Sequence, residues 1–227
     1  MSFQERIKFD NLLKDIVSNF FGSFLNNKIF VKNVGQEEIF NDVHQHMRYK
    51  RDKTTEFIRY MPDLFILWHK SFSHESWLIE LKSAFTGLKS EDSWIIKKIR
   101  EKKLDVKKEE ILNIELGSWN NLVSLSKIGV KVAIFAFVNF HPQEKWLVIL
   151  PCQELNLLEV SSGEMAQTSG SGTPIANIFT RVDNTKVMRA QEWLSREFEV
   201  NKNDVEEFLK TQETHLLEAW NSAKSDV

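Results

Sequence analysis

Asp63, Glu80 and Lys82 lie in the stretch YMPDLFILWHKSFSHESWLIELK (residues 60–82), where two carboxylates and an ammonium are set into apolar runs that read as adjacent strands. Charged groups at strand positions normally face water. Residues two apart on a strand share a face, so Glu80 and Lys82 project together while Leu81 points into the opposite layer. If the strand beginning near Asp63 pairs with the strand carrying Glu80, the two carboxylates arrive side by side, and alone they would repel. A Mg²⁺ ion would resolve that repulsion, because it prefers hard oxygen ligands, keeps several waters and binds through one or two carboxylates plus a substrate phosphate. Lys82, held nearby, could position the attacking water and stabilise negative charge developing on the phosphate. This set of residues suits metal-assisted phosphodiester hydrolysis.

Several elements must position these groups. From Phe3 to Phe24, apolar residues recur at three- and four-residue steps, the pattern of an amphipathic helix with a broad core face. KIFVKNVG reads as a short strand and QEEIFNDVHQHMRYK as a second helix. TTEFIRY, DLFILWHK and SWLIELKSAF, separated by turn-like residues, read as a three-strand antiparallel meander. Residues 89–110 are a charged stretch in which Trp94, Ile95, Ile99 and Leu104 supply a thin helical stripe. IELGSWNNLVSLSKIG continues the helical period and stops at Gly129. VKVAIFAFVNF is then apolar on both alternating faces, as expected of a strand covered on both sides, so helix and strand form a crossover unit. KWLVIL reads as a further strand, and SSGEMAQTSGSGTPIAN as a Gly/Ser-rich loop that lacks the G-K-[ST] ending of a phosphate-binding loop. TKVMRAQEWLSREF reads as a helix, followed by another from Asp204 with Asn203 as cap and Glu206 completing a capping box.

The motif, Pro62-Asp63 followed by Glu80-Leu81-Lys82, resembles the PD-(D/E)XK nuclease superfamily, which includes many restriction enzymes, Holliday-junction resolvases and recombination nucleases. The resemblance covers roughly residues 54–140 and implies an α/β, restriction-endonuclease-like α-β-β-β-α-β core with a central mixed sheet flanked by helices. It also implies that Asp63 and Glu80 hold Mg²⁺, with Mn²⁺ able to substitute, and that Lys82 acts in catalysis to leave 5′-phosphate and 3′-hydroxyl ends. The distance from Lys82 to the following helix is long for the family, being filled by the charged insertion. Many members carry another acidic residue on the first helix, for which Glu5, Asp10 and Glu38 are open candidates.

The chain of 227 residues, 42% hydrophobic, fits a single domain: a core over about 54–150, N-terminal helices over 1–50 and a C-terminal helical extension over 175–227. Its apolar runs fall short of the roughly 20 residues a membrane span needs, and MSFQERIKFD lacks an apolar signal core, so the expected location is cytoplasmic, with no membrane partner. The single cysteine, Cys152, excludes an internal disulfide and any multi-cysteine metal site within one chain, and reads as a small buried residue at a strand end. With 30 basic and 32 acidic residues, a nucleic-acid surface has to be local. Lys97, Lys98, Arg100, Lys102 and Lys103, followed by Lys107 and Lys108, form one such candidate, placed next to the active-site strand to bind DNA phosphates or simply solvated; RYKRDK (48–53) ranks below it. His44 and His46, two apart on a helix, diverge and read as surface residues. Trp77, Trp119, Trp146, Trp193 and Trp220 read as packing, Asn120 and Asn121 as an exposed helix face, and residues 161–174 as a connector.

The leading expectation is a Mg²⁺-dependent DNA endonuclease of restriction or defence type, without an organic cofactor. Cutting both strands with one site per chain makes a homodimer the expected form. The alternatives are a structure-specific junction or repair nuclease, and a catalytically inactive DNA-binding protein of the same fold.

Overall fold

Helix α1 (Phe3–Phe24) buries Phe9, Leu13, Ile16, Val17, Phe20 and Phe21, a spacing of three and four that puts one continuous apolar stripe against the sheet. The computed structural model describes residues 3–25, 28–34, 60–70, 73–86, 94–155, 175–182 and 186–225. The second helix expected over QEEIFNDVHQHMRYK, the strand TTEFIRY as far as Arg59, RYKRDK, His44, His46, Glu38 and the 161–174 connector all lie outside the described residues.

Strands β1 (Ile29–Asn33), β2 (Leu64–Lys70) and β3 (Ser73–Ala84) form an antiparallel meander, with Ile29 opposite Trp68 and Leu64 opposite Ile79, so the edge of β2 expected for TTEFIRY is taken by the strand in KIFVKNVG. Beyond it come α2 (Trp94–Glu101), β4 (Ile111–Glu115), α3 (Leu116–Lys127), β5 (Val132–Val138), β6 (Trp146–Ile149), β7 (Ile175–Phe179), β8 (Val187–Arg189), α4 (Ala190–Phe198) and α5 (Lys202–Ser225). The central sheet has the order β1-β2-β3-β5-β6-β8, and β4 pairs with β7 in a separate two-stranded ribbon. Every pairing is antiparallel except β3 with β5, where Glu80 lies beside Ile134 and Lys82 beside Ala136. The architecture is therefore mixed α/β, a central multi-strand sheet flanked by helices. Among the described residues, no helix is long and apolar enough to cross a membrane.

Strand alternation divides the core in two. Ile79, Leu81, Phe135 and Phe137 face the layer built by α1, α4 and α5, whereas Leu78, Ile134 and Ala136 face α3 and the ribbon. All seven residues of β5 are buried because both of its faces are covered. The five tryptophans read as packing residues are buried, and Trp77 meets Trp193 edge to face at 5.0 Å. Cys152 is half-buried just past β6.

Four local expectations need correction. Ile114 and Glu115 belong to β4 rather than to the following helix, because pairing with Ala176 and Ile175 outweighs the helical period. By the same pairing, Ile175, Ala176 and Asn177 leave the Gly/Ser-rich loop and enter β7. Val187–Arg189 form an edge strand against β6 before the helix begins at Ala190. At α5 the cap is Asn201, whose Oδ1 accepts the Asn203 N–H at 2.9 Å, while Glu206 turns to Lys210 at 3.1 Å.

Candidate active site

The site forms where β2 stops and β3 continues. Leu64 is the first residue of β2 and lies opposite Ile79, so β3 from Glu80 onward has lost its antiparallel neighbour. Amide directions alternate along a strand. The Leu78 N–H bonds to the Lys131 carbonyl on the β5 side, so the Leu81 N–H points toward the missing end of β2. The Asp63 carboxylate fills that gap, its Oδ2 accepting the Leu81 N–H at 2.8 Å. The Asp63 carbonyl accepts the Val34 N–H at 2.9 Å, tying the same residue to the end of β1. Asp63 is thus fixed through both its backbone and its side chain, and its Oδ1 lies 3.7 Å from the Lys14 ammonium of α1.

Glu80 and Lys82 project toward the α3 layer, as expected of residues two apart on β3. The Glu80 side chain is 8% exposed, and its Oε1 lies 2.7 Å from Lys82 Nζ. Burial pushes the Glu80 carboxyl up to about 7; the Lys82 charge and hydrogen bond oppose this, while the negative charges of Asp63 and Glu115 add to it. Glu80 therefore exchanges its proton near neutrality and is held between a cation and two other acids. Functional sites concentrate such perturbed groups, although structural ion pairs produce them too.

Helix α3 closes the site from the other side. Asn121 donates its Nδ2–H to the Tyr60 carbonyl at 2.7 Å, so this residue, expected on an exposed face, instead anchors the segment that leads into Pro62-Asp63; Asn120 is exposed. Gly117 faces the Tyr60 ring, and a Cβ there would lie 2.2 Å from Tyr60 Cζ. Gly→Ala at an open helical position stabilises by about 0.5–1 kcal/mol. At Gly117 the sign reverses: Gly117→Ala should cost about 1–3 kcal/mol, read by urea unfolding, because the ring has to move.

Asp63, Glu80 and Lys82 are brought together as expected. Glu115 and Lys14 were not singled out from the sequence. Glu115 ends a strand whose place is set by pairing with Ile175, sixty residues further on, and Lys14 sits among the polar positions of an amphipathic helix, so local pattern marks neither. The side chains of Glu5 and Asp10 lie outside the described set.

The basic segment packs on the β4–β7 ribbon, and its helix stops earlier than the charged stretch over 89–110. Helix α2 ends at Glu101, Lys102 and Lys103 follow in a turn with Lys103 at φ 52°, and Ile95, Ile96 and Ile99 pack on Ile111 of β4 near Phe179 of β7. The segment thus rides on the ribbon, with Lys97, Arg100, Lys102 and Lys103 exposed and Lys98 paired with Glu101 at 3.1 Å.

Among the described residues, no group of three or more His, Cys, Asp or Glu side chains is arranged to hold a metal ion. The donors that fit a hard cation are the two carboxylates Asp63 and Glu80, the number Mg²⁺ commonly takes from protein when water and phosphate complete its shell. Each already faces an ammonium, so a cation would have to displace Lys14 or Lys82 or share the carboxylate with it. Compared with protein-family models, curated proteins and solved structures, the chain shows no match.

Proposed function

We propose that the protein is a Mg²⁺-dependent endonuclease of the PD-(D/E)XK type, acting on DNA as a homodimer, with restriction or defence as the favoured role and junction or repair cleavage as the alternative within the class. The observation that carries this reading is the meeting of Asp63, a buried Glu80 and Lys82 where the β2–β3 ladder opens. A purely structural ion pair gains little from burial, since desolvating both charges offsets most of their attraction. Bound to the two carboxylates, Mg²⁺ would supply Lewis-acid polarisation of a phosphate oxygen. The chain's own contribution is to hold Asp63 rigid through the Leu81 N–H and to set Lys82 beside Glu80, where its charge opposes the burial that raises the Glu80 carboxyl. Lys82, whose side chain is 29% exposed, is the group placed to orient a water and neutralise charge building on the phosphate. Lys97, Lys98, Arg100, Lys102 and Lys103 are assigned to phosphate contacts, whose strength would fall with salt.

A second reading, a DNA-binding protein without catalysis, draws support from the two ammonium groups that already balance both carboxylates. Supercoiled plasmid separates the two. With Mg²⁺, the nuclease nicks or linearises it, EDTA stops the reaction, and Lys82→Ala lowers the rate by at least about 100-fold. If plasmid and branched substrates stay intact while DNA is retained in a gel-shift assay, the second reading replaces the first.

A further inference from the structure

We propose that His69 and His74, at the far end of the β2–β3 hairpin, form a binding site for a Zn²⁺-class divalent transition-metal ion. The two residues are direct cross-strand partners whose Nδ1 atoms share a hydrogen bond at 3.3 Å, and an ion between them would replace the shared proton. Zn²⁺ binds imidazole nitrogen at about 2.0–2.1 Å, and two ligands of a tetrahedral ion are then about 3.3–3.4 Å apart. The hairpin thus sets the donor spacing before any ion arrives. The rings stand 83° to one another with centroids 4.6 Å apart, and side-chain rotation at these exposed positions can turn both Nδ1 lone pairs toward a common ion. Both side chains are exposed, which leaves the remaining tetrahedral positions to water or an incoming ligand.

The surroundings do not oppose a cation. Lys70 is paired with Glu199 at 3.0 Å, and Lys131 with Glu75 at 2.6 Å, so both neighbouring ammonium groups are matched by carboxylates. Imidazole selects Zn²⁺, Cu²⁺ or Ni²⁺, whereas carboxylate and water select Mg²⁺. His74 and Glu80 lie six residues apart on β3, or about 20 Å along the strand, so the two ends of one hairpin present donors of opposite preference. An ion shared by β2 and β3 would also tie the hairpin in register and stabilise the folded chain by mass action.

The test is titration of the full chain with Zn²⁺ by calorimetry, with Co²⁺ absorption to report the coordination and thermal melts alongside. The wild-type chain should take up one Zn²⁺ at this site, with a rise in melting temperature that excess Mg²⁺ does not abolish. His69→Ala and His74→Ala should each weaken that binding at least tenfold and remove the thermal rise. Circular dichroism checks that these exposed substitutions leave the fold intact. A His44→Ala/His46→Ala double variant should retain the site. Wild-type affinity in His74→Ala, loss of the site only in the double variant, or no Zn²⁺ uptake by the wild-type chain would each overturn the assignment.

Discussion

Glu80→Gln should weaken Mg²⁺ binding by at least about 100-fold while making the folded protein more stable above pH 7. The second half follows from proton linkage. The Glu80 carboxyl has an ordinary value of 4.5 and a folded-state value of about 7. Below pH 4.5 it is protonated in both states and contributes no difference. Between pH 4.5 and 7 the unfolded chain releases the proton and the folded chain retains it, so stability falls as pH rises. Above pH 7 the full cost of a buried carboxylate is present, on the order of 3 kcal/mol at 1.36 kcal/mol per unit. Glutamine has nothing to ionise, so its melting temperature should decline less than that of the wild-type chain between pH 5 and pH 8. If the proposed Mg²⁺ site is real, metal binding would add an opposing effect in the wild-type chain alone, because Mg²⁺ would require the ionised carboxylate. Wild-type affinity for Mg²⁺ should accordingly be about tenfold weaker at pH 6 than at pH 8, the ratio set by a group titrating near 7. Calorimetric titrations at the two pH values, with melts of both proteins, measure all three quantities. Parallel pH slopes for the two proteins would remove the buried-carboxylate account, and undiminished Mg²⁺ binding by the variant would remove Glu80 from the metal site.

Trp193→Ala should be the most destabilising of the substitutions considered, costing about 3–5 kcal/mol. Trp193 is completely buried and meets Trp77 at 5.0 Å and Phe198 at 5.4 Å, both edge to face. Truncation removes the transfer energy of the largest side chain and leaves a void between α4 and β3, because the surrounding rings are held by other contacts, including Phe198 against Phe21 and Trp68. Urea unfolding should show a lower midpoint with an unchanged slope. Trp77 lies three residues before Glu80 and faces the opposite layer, so Mg²⁺ affinity of the folded fraction should fall far less than it does in Glu80→Gln. A comparable loss in both variants would mean that the site depends on core packing rather than on its own carboxylate.

The residues that could be read in advance are those whose environment is written locally. Two-residue alternation placed Glu80 and Lys82 on one face of β3, unbroken apolar character marked β5 as a covered strand, and three- and four-residue spacing marked α1. Misreadings fell where a distant partner decides. Ile114 and Val187 carry β-branched side chains inside helical periods, and only pairing with β7 and β6 reveals them as strand residues. The basic segment Lys97–Lys103 announced its charge but not its seat, which depends on Ile95, Ile96 and Ile99 finding Ile111. Glu115 and Lys14 joined the acidic centre through tertiary folding alone, while Asp63 acquired a role as surrogate for a missing strand amide partner that no spacing rule encodes.

The parallel pairing of β3 with β5 has a consequence for the order of events during synthesis. Antiparallel β2 and β3 are adjacent in sequence and can associate early, but β5 reaches β3 only after residues 85–131 have emerged and α3 has crossed over. Contacts separated this far along a chain form slowly, because the loop must close before any contact is gained. Until then the burial that raises the Glu80 carboxyl is incomplete, because β5 is not yet beside β3. The raised affinity of Glu80 for its proton is therefore a property of the completed chain, and a nascent polypeptide halted before Val132 would carry the motif without the burial that shifts it.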